Sequence, residues 1–278
     1  MEPKRIVQGN FHSILPNLIQ VKENIYSGGS PINDKAFKSL STLGIRTIIS
    51  VDGAQPNIIA ASANGMTYVH IHIGYDGIST LQKATLIEIL KERPAPYYFH
   101  CHHGKHRGPA AVATILFLKN HFNVEQAHGF MQLAGTSKKY TGLWNSVNSD
   151  SDLKNLPSPS NLVERAAVSH ITESMVAIDE IFDHLKTLEK NNWHADDTNP
   201  DITAHNQALL LLEQYKEIPR IHNQSNVNQP LFKQHLITST VAAKELEQSF
   251  LQDKITNRSH IMDRLKTSCI DCHSDFRD

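Results

Sequence analysis

A stretch near the middle of the chain separates two kinds of sequence. Asn145 to Asn161 reads NSVNSDSDLKNLPSPSN: rich in Ser and Asn, broken by Pro157 and Pro159, and poor in apolar residues. That is the composition of a linker. Before it, short β-branched runs alternate with helical patterns; after it the β-branched runs vanish. A chain of 278 residues has room for one or two domains. The break predicts a domain at 1–144, a linker at 145–161 and a second domain at 162–278.

In the first part, Gly44-Ile45-Arg46-Thr47-Ile48-Ile49-Ser50-Val51, Thr67-Tyr68-Val69-His70-Ile71-His72-Ile73 and Tyr97-Tyr98-Phe99-His100 read as buried strands. Helical spacing lies between and after them, from Pro31 to Leu43, Leu81 to Lys91 and Gly108 to Lys119. Alternating strands and helices predict an α/β domain, a parallel or mixed sheet covered by helices. In the second part, Leu162, Ala166, Ile171, Met175, Ile178, Phe182 and Leu185 mark one helical face. Further helices fit Ile202 to Ile218, Gln229 to Leu251 and Arg258 onward, with Pro200 and Pro219 at helix ends. Four helices in this length predict an all-α antiparallel four-helix bundle.

The net charge of −1 hides an asymmetry: residues 1–155 carry +5 and residues 156–278 carry −6. The first part is thus inclined toward anionic partners. A nucleic acid is not expected, because no dense Lys/Arg stripe with interleaved aromatics occurs. No apolar run approaches the ~18 residues of a membrane span. Residues Met1 to Asn10 hold charge and Pro3 where an export signal needs an apolar core, so no export signal is visible.

The three cysteines, Cys101, Cys269 and Cys272, do not build a disulfide framework. Each has its own chemical setting. The first stands in His100-Cys101-His102-His103-Gly104-Lys105-His106-Arg107, between a strand and a helix. A tight loop at a helix N-terminus aims several backbone N–H groups at one point and adds the helix dipole, which holds an anion without a metal. The same field favours the thiolate of Cys101. Arg107 can return to the loop and grip two phosphate oxygens. Together these describe a nucleophile attacking a phosphorus already cradled by donors.

This stretch resembles the cysteine-dependent protein tyrosine and dual-specificity phosphatases, whose signature is His-Cys, five residues, then Arg. The resemblance spans about residues 20–140 and includes Ile25-Tyr26-Ser27-Gly28-Gly29-Ser30-Pro31. It implies a phosphocysteine at Cys101, phosphate held by Arg107 and the loop His102, His103, Gly104, Lys105 and His106, and no metal in that site. An aspartate on a preceding loop protonates the leaving group in that family. The matching position is Asp76, in Ile73-Gly74-Tyr75-Asp76-Gly77, with Asp52 in Ser50-Val51-Asp52-Gly53 as the second candidate. Asp76 also suits an ordinary turn. Gly108 stands where the family usually has Ser or Thr, whose hydroxyl helps expel the thiolate, and this departure implies slow turnover. Lys105 sits where lipid- and inositol-directed members often carry lysine, which favours a multiply phosphorylated small molecule, with phosphotyrosine the other substrate. Two further readings compete: a metal site among His70, His72, His100, His102, His103 and His106, and a rhodanese-like sulfur carrier.

The other cysteines lie in Ser268-Cys269-Ile270-Asp271-Cys272-His273. C-x-x-C-H is the attachment pattern for haem c, two thiols bonding the porphyrin and the histidine reaching the iron. A thiol redox pair or half a zinc site shares the spacing. With Ser274-Asp275-Phe276-Arg277 after it, the segment resembles the end of cytochrome c′, over about 160–278. That resemblance implies covalent haem c on Cys269 and Cys272 and His273 as iron ligand. By its helical face Met175 is a candidate to lie near the haem and His170 a candidate sixth ligand, with ordinary core or surface the expected role of each. The resemblance further implies a small gas or a redox partner, and a homodimer through the bundle. Covalent haem is attached outside the cytoplasm, so a periplasmic or extracytoplasmic form is expected. The expected function is phosphomonoester hydrolysis fused to a haem domain for gas or redox sensing or electron transfer. The alternative is a haem carrier whose first domain binds phosphate without turnover.

Overall fold

The computed structural model describes residues 2–6, 14–147, 156–195, 202–221, 229–252 and 257–276. The chain forms two compact units, one running to Ala167 and one from Val168.

The first unit contains strands β1 (Lys4–Arg5), β2 (Ile19–Lys22), β3 (Ile25–Gly29), β4 (Thr47–Ser50), β5 (Thr67–His70) and β6 (Tyr97–Cys101). Its helices are α1 (Asp34–Thr42), α2 (Ile58–Ala63), α3 (Thr80–Glu92), α4 (Arg107–Leu118), α5 (Val124–Ala134) and α6 (Thr141–Asn145). The sheet order is β1-β2-β3-β6-β4-β5. β3, β6, β4 and β5 run parallel, and β1 and β2 add an antiparallel margin. The mixed sheet is therefore the one the β-branched runs predict, each run trimmed to its paired residues. One apolar cluster holds Ile49, Phe99, Ile115 and Phe130, and a second holds Phe37, Leu40, Ile48 and Tyr98. Alternation along β4 and β6 sends neighbours Ile48/Ile49 and Tyr98/Phe99 to opposite faces, each burying a side chain worth about 1.5–3 kcal/mol. Helix starts are set locally: Asn33 and Asn123 accept from Ala36 and Gln126, and Ser79 forms a capping box with Gln82.

Register decides where chemistry can sit. Gly29 pairs with Cys101 and Ser50 with His100, so β3, β6 and β4 end side by side. Loops leaving these carboxyl ends converge, as ligand sites do in open α/β sheets.

The second unit contains α7 (His170–Lys190), α8 (Ala204–Ile221), α9 (Pro230–Leu251) and α10 (Arg258–Phe276). Each packs on the next around Ile178, Leu185, Leu211, Ile218, Leu246 and Leu265. No described helix is long and apolar enough to cross a membrane. Two boundaries differ from the sequence reading. Leu156 and Leu162 pack against the first unit's core, and Ser160 N–H donates to Thr85 Oγ1 at 3.1 Å. The chain past residue 155 thus stays on the α/β unit up to Ala166, whose amide reaches His70. Leu162 and Ala166 therefore lie outside the helical face expected to include them; α7 starts only after Ser169 caps Thr172. Pro219 lies inside the last turn of α8 rather than ending it at Ile218. Residues 148–155 of the expected linker lie outside the described residues.

Candidate active site

Cys101 is the last residue of β6 and is 2% exposed. After it, His102 to His106 form the loop and α4 opens at Arg107, with no side-chain cap from His106. Three loop carbonyls are taken from outside: His102 O by Ser30 N–H at 3.0 Å, Gly104 O by Asn17 Nδ2 at 2.7 Å, and Lys105 O by Thr136 Oγ1 at 2.7 Å. In a trans peptide the C=O and N–H point in opposite directions. Holding these carbonyls outward therefore turns the N–H groups of His103, Lys105 and His106 the other way, which builds an anion nest from the backbone. Gly104 makes the close approach possible. Its φ is +68°, and a Cβ there would stand 2.2 Å from Gly28 C.

Arg107 is buried and donates from Nη2 to Asp52 Oδ1 at 2.8 Å. Its guanidinium lies over the Tyr75 ring, 4.8 Å from the centroid. Burial works to raise the Asp52 carboxyl, but the Arg107 charge, His100 and the Gly53 amide outweigh it and hold the group below its ordinary value. Burial likewise opposes the charge on Arg107, and Asp52, Tyr75 and Cys101 overcome it. The pair is therefore ionised. Arg107 Nε and Asp52 Oδ2 are buried without protein partners, and an orphan guanidinium donor beside a nest is what an oxyanion satisfies.

Asp52, the second candidate for general acid, is engaged by Arg107 through its Oδ1. Asp76 is exposed and lines a cleft of about 580 Å³ with His72, Ser79, Gln82 and Lys83. His72 feels the charges of both Arg107 and Asp76, and the neighbouring Tyr75 sets its ring against the Arg107 guanidinium. Of the basic loop residues, His103 and Lys105 are exposed, the His102 and His103 rings meet at 4.2 Å, and His106 Nδ1 accepts Ser137 N–H at 3.2 Å. Gly108 brings no hydroxyl to the start of α4, and a Cβ there would stand 3.3 Å from Cys101 N.

Two of the histidines read as metal-ligand candidates are engaged by other partners. His100 Nε2 pairs with Tyr68 OH at 2.6 Å, and burial lowers its pKa to about 4. His70 uses one ring nitrogen on Asp52 O and the other on Ala166 N. Sequence reasoning missed Tyr75, Asn17 and Thr136, and named Asp52 only as the second candidate acid, without its pairing to Arg107. The signal for Asp52 was its place just beyond β4, next to the strand that carries Cys101.

In the second unit, Cys269 and Cys272 are half-buried on α10, with His273 next in chain. Tyr215 OH lies 3.6 Å from Cys269 Sγ. Burial pushes the Cys269 thiol up, and burial with the Cys269 and Asp275 charges pushes Cys272 up to about 11. Tyr215 also lines a cleft of about 310 Å³ with Lys216, Pro219, Leu236, Ile237 and Val241. Cys269, Cys272 and His273 are not among the residues that line this cleft.

No protein-family model matches this chain, and no curated protein matches it. Solved structures do. P. aeruginosa TpbA is similar at 19% identity over 50% of this chain and 88% of that one, with a TM-score of 0.44. The core catalytic domain of the PP-IP phosphatase SIW14 from S. cerevisiae, in complex with citrate, is similar at 19% identity over 48% and 86%, with a TM-score of 0.41.

Proposed function

We propose that the first unit hydrolyses phosphomonoesters through Cys101. The observation that supports this most is the buried thiol beneath outward-held carbonyls, with Arg107 fixed beside it by Asp52. The phosphoryl dianion sits in the backbone nest and accepts from Arg107. The Cys101 thiolate attacks phosphorus, an S–P bond forms and the P–O bond to the alcohol breaks. Asp76 gives its proton to the departing oxygen. Water then attacks phosphorus with its proton passing to Asp76, the S–P bond breaks, and inorganic phosphate leaves. Hydrolysis of para-nitrophenyl phosphate tests this. Cys101→Ser should abolish turnover while retaining phosphate binding, Arg107→Met should lose both, and Asp76→Asn should lower kcat about 10²–10⁴-fold. Turnover that survives Cys101→Ser would end the proposal.

The second unit, in this reading, is a four-helix bundle of cytochrome c′ type holding haem c on Cys269 and Cys272, with His273 on the iron. The C-x-x-C-H spacing on α10 supports it. When bound, the haem supplies a redox-active, gas-binding iron. Attachment of haem places the protein outside the cytoplasm. Gly108 favours a second reading, in which the α/β unit binds phosphate with little turnover and the haem unit carries the function.

A further inference from the structure

His70 ends β5 and is 1% exposed. Three of its polar atoms are committed. Its backbone N–H donates to Val163 O at 2.9 Å, its Nδ1 lies 3.1 Å from Ala166 N, and its Nε2 lies 2.8 Å from Asp52 O. A backbone amide only donates and a carbonyl only accepts, so Nδ1 must be bare and Nε2 must carry the proton. The ring is thereby fixed as the neutral Nε2–H tautomer. A second proton could go only to Nδ1, and it would displace Ala166.

The two partners of this ring belong to different stories. Asp52 is the residue that holds Arg107. Val163 and Ala166 are the last anchored part of the chain before Val168, where the second unit begins. We infer that His70 is a positioning residue, fastening the segment Val163–Ala166 to Asp52 so that Arg107 is aligned for an anion only while that segment is docked. This deepens the proposed function and rests on its reading of Arg107 as the phosphate-binding group. The charged and titratable groups around His70 are Asp52 beyond β4, His100 on β6, His72 two residues on, and Arg107 across Asp52. Burial lowers the His70 pKa, with the Asp52 carbonyl and carboxylate pulling the other way, which is consistent with a ring that works neutral.

The test uses the full chain and sulfate, a tetrahedral dianion whose charge is constant between pH 5 and 8. Sulfate affinity is measured by calorimetry, and docking of the segment by hydrogen exchange at the Ala166 amide. His70→Phe keeps a flat ring without nitrogens; it should weaken sulfate binding about tenfold and strip protection from Ala166. His70→Gln, which keeps one donor and one acceptor, should restore part of both. Ala166→Pro removes the donor at the other end of the contact and leaves the ring intact, so it should weaken sulfate by a similar factor even if His70→Phe fails to fold. In the unaltered chain, Ala166 protection should fall as pH drops below the ordinary histidine range. Sulfate affinity unchanged in folded variants that have lost Ala166 protection overturns the role of His70 alone. No sulfate binding in the unaltered chain overturns the phosphate-site reading and this inference with it.

Discussion

Arg107 Nη2 stands 2.8 Å from Asp52 Oδ1, with 10% and 5% of the two side chains exposed. Neither charge is there for surface solubility. The pair ties the first residue of α4 to the chain just past β4, across the strand that carries Cys101. It therefore sets the direction of the guanidinium, whose Nε has no partner among the described residues.

Asp52→Asn keeps the shape and one acceptor and removes the charge. The buried Arg107 cation then lacks a counter-ion, a change that costs about 3–5 kcal/mol when one partner of a buried pair is lost. Thermal unfolding should fall accordingly, and kcat/KM for para-nitrophenyl phosphate should drop more than tenfold. Wild-type stability and activity in this variant would show that the pair neither holds the fold nor aims Arg107.

Stability should decline on mild acidification, and the sign follows from His100. Its folded pKa is about 4, below the 6.5 of an exposed histidine, because burial disfavours the charged ring. Below pH 6.5 the unfolded chain takes up a proton that the folded chain refuses, so stability is complete above that pH and is lost as pH falls toward 4. From this group alone the loss by pH 5 is about 2 kcal/mol. His70 shifts in the same direction and adds to it. The Asp52 carboxyl, held low, extends the loss to pH values below the ordinary carboxylate range. Chemical denaturation at pH 7.5 and 5 measures this; in His100→Asn the difference should shrink.

Two glycines with positive φ should respond very differently to alanine. Gly104 has backbone of β3 at 2.2 to 2.5 Å from where its Cβ would be, whereas Gly135, at φ +89°, has nothing within 4 Å. Gly135→Ala at the end of α5 should cost about 1 kcal/mol, the penalty for a left-handed alanine. Gly104→Ala must in addition push the loop off β3, so it should eliminate phosphate binding and lower the melting temperature more. Equal effects of the two would mean that the loop does not lean on β3.

Gly108→Ser tests the departure from the phosphatase pattern. The new Cβ would stand 3.3 Å from Cys101 N, so α4 has to give by a few tenths of an ångström. The hydroxyl should speed breakdown of the phosphocysteine. Rapid-mixing kinetics should show a burst in the unaltered chain and a smaller burst with a higher steady rate in the variant.

The sequence made the strand–loop–helix around Cys101 legible because its parts are contiguous: strand, thiol, five-residue loop, arginine and helix lie within the 22 residues from Tyr97 to Leu118. Buried parallel strands were equally legible, since Ile48-Ile49 and Tyr98-Phe99 bury both faces. What escaped were relationships between distant segments. Asn17 and Thr136 reach the loop from 87 and 31 residues away in the chain, and no local pattern marks them. Asp52 was seen only as a second candidate acid; its bond to Arg107, 55 residues on, shows only in the fold. Leu162 and Ala166 follow helical spacing yet pack on the sheet unit, a case where tertiary burial overrides periodicity.

The second unit yields the last prediction. Cys269 and Cys272 share one face of α10, and burial keeps both protonated at neutral pH, Cys272 with a pKa of about 11. Thiols in this state, followed by His273, suit capture by a porphyrin rather than rapid redox exchange, which needs a thiolate. The full chain produced with haem-attachment machinery should therefore be coloured, and the colour should stay with the polypeptide after denaturation. Cys269→Ala with Cys272→Ala should release it. His273→Ala should leave the tether intact but change the visible spectrum, because the iron loses its ligand while the thioethers remain. A colourless product from the unaltered chain, made under conditions that load a known haem c protein, would leave the C-x-x-C pair as a structural feature of α10 and remove haem from the account.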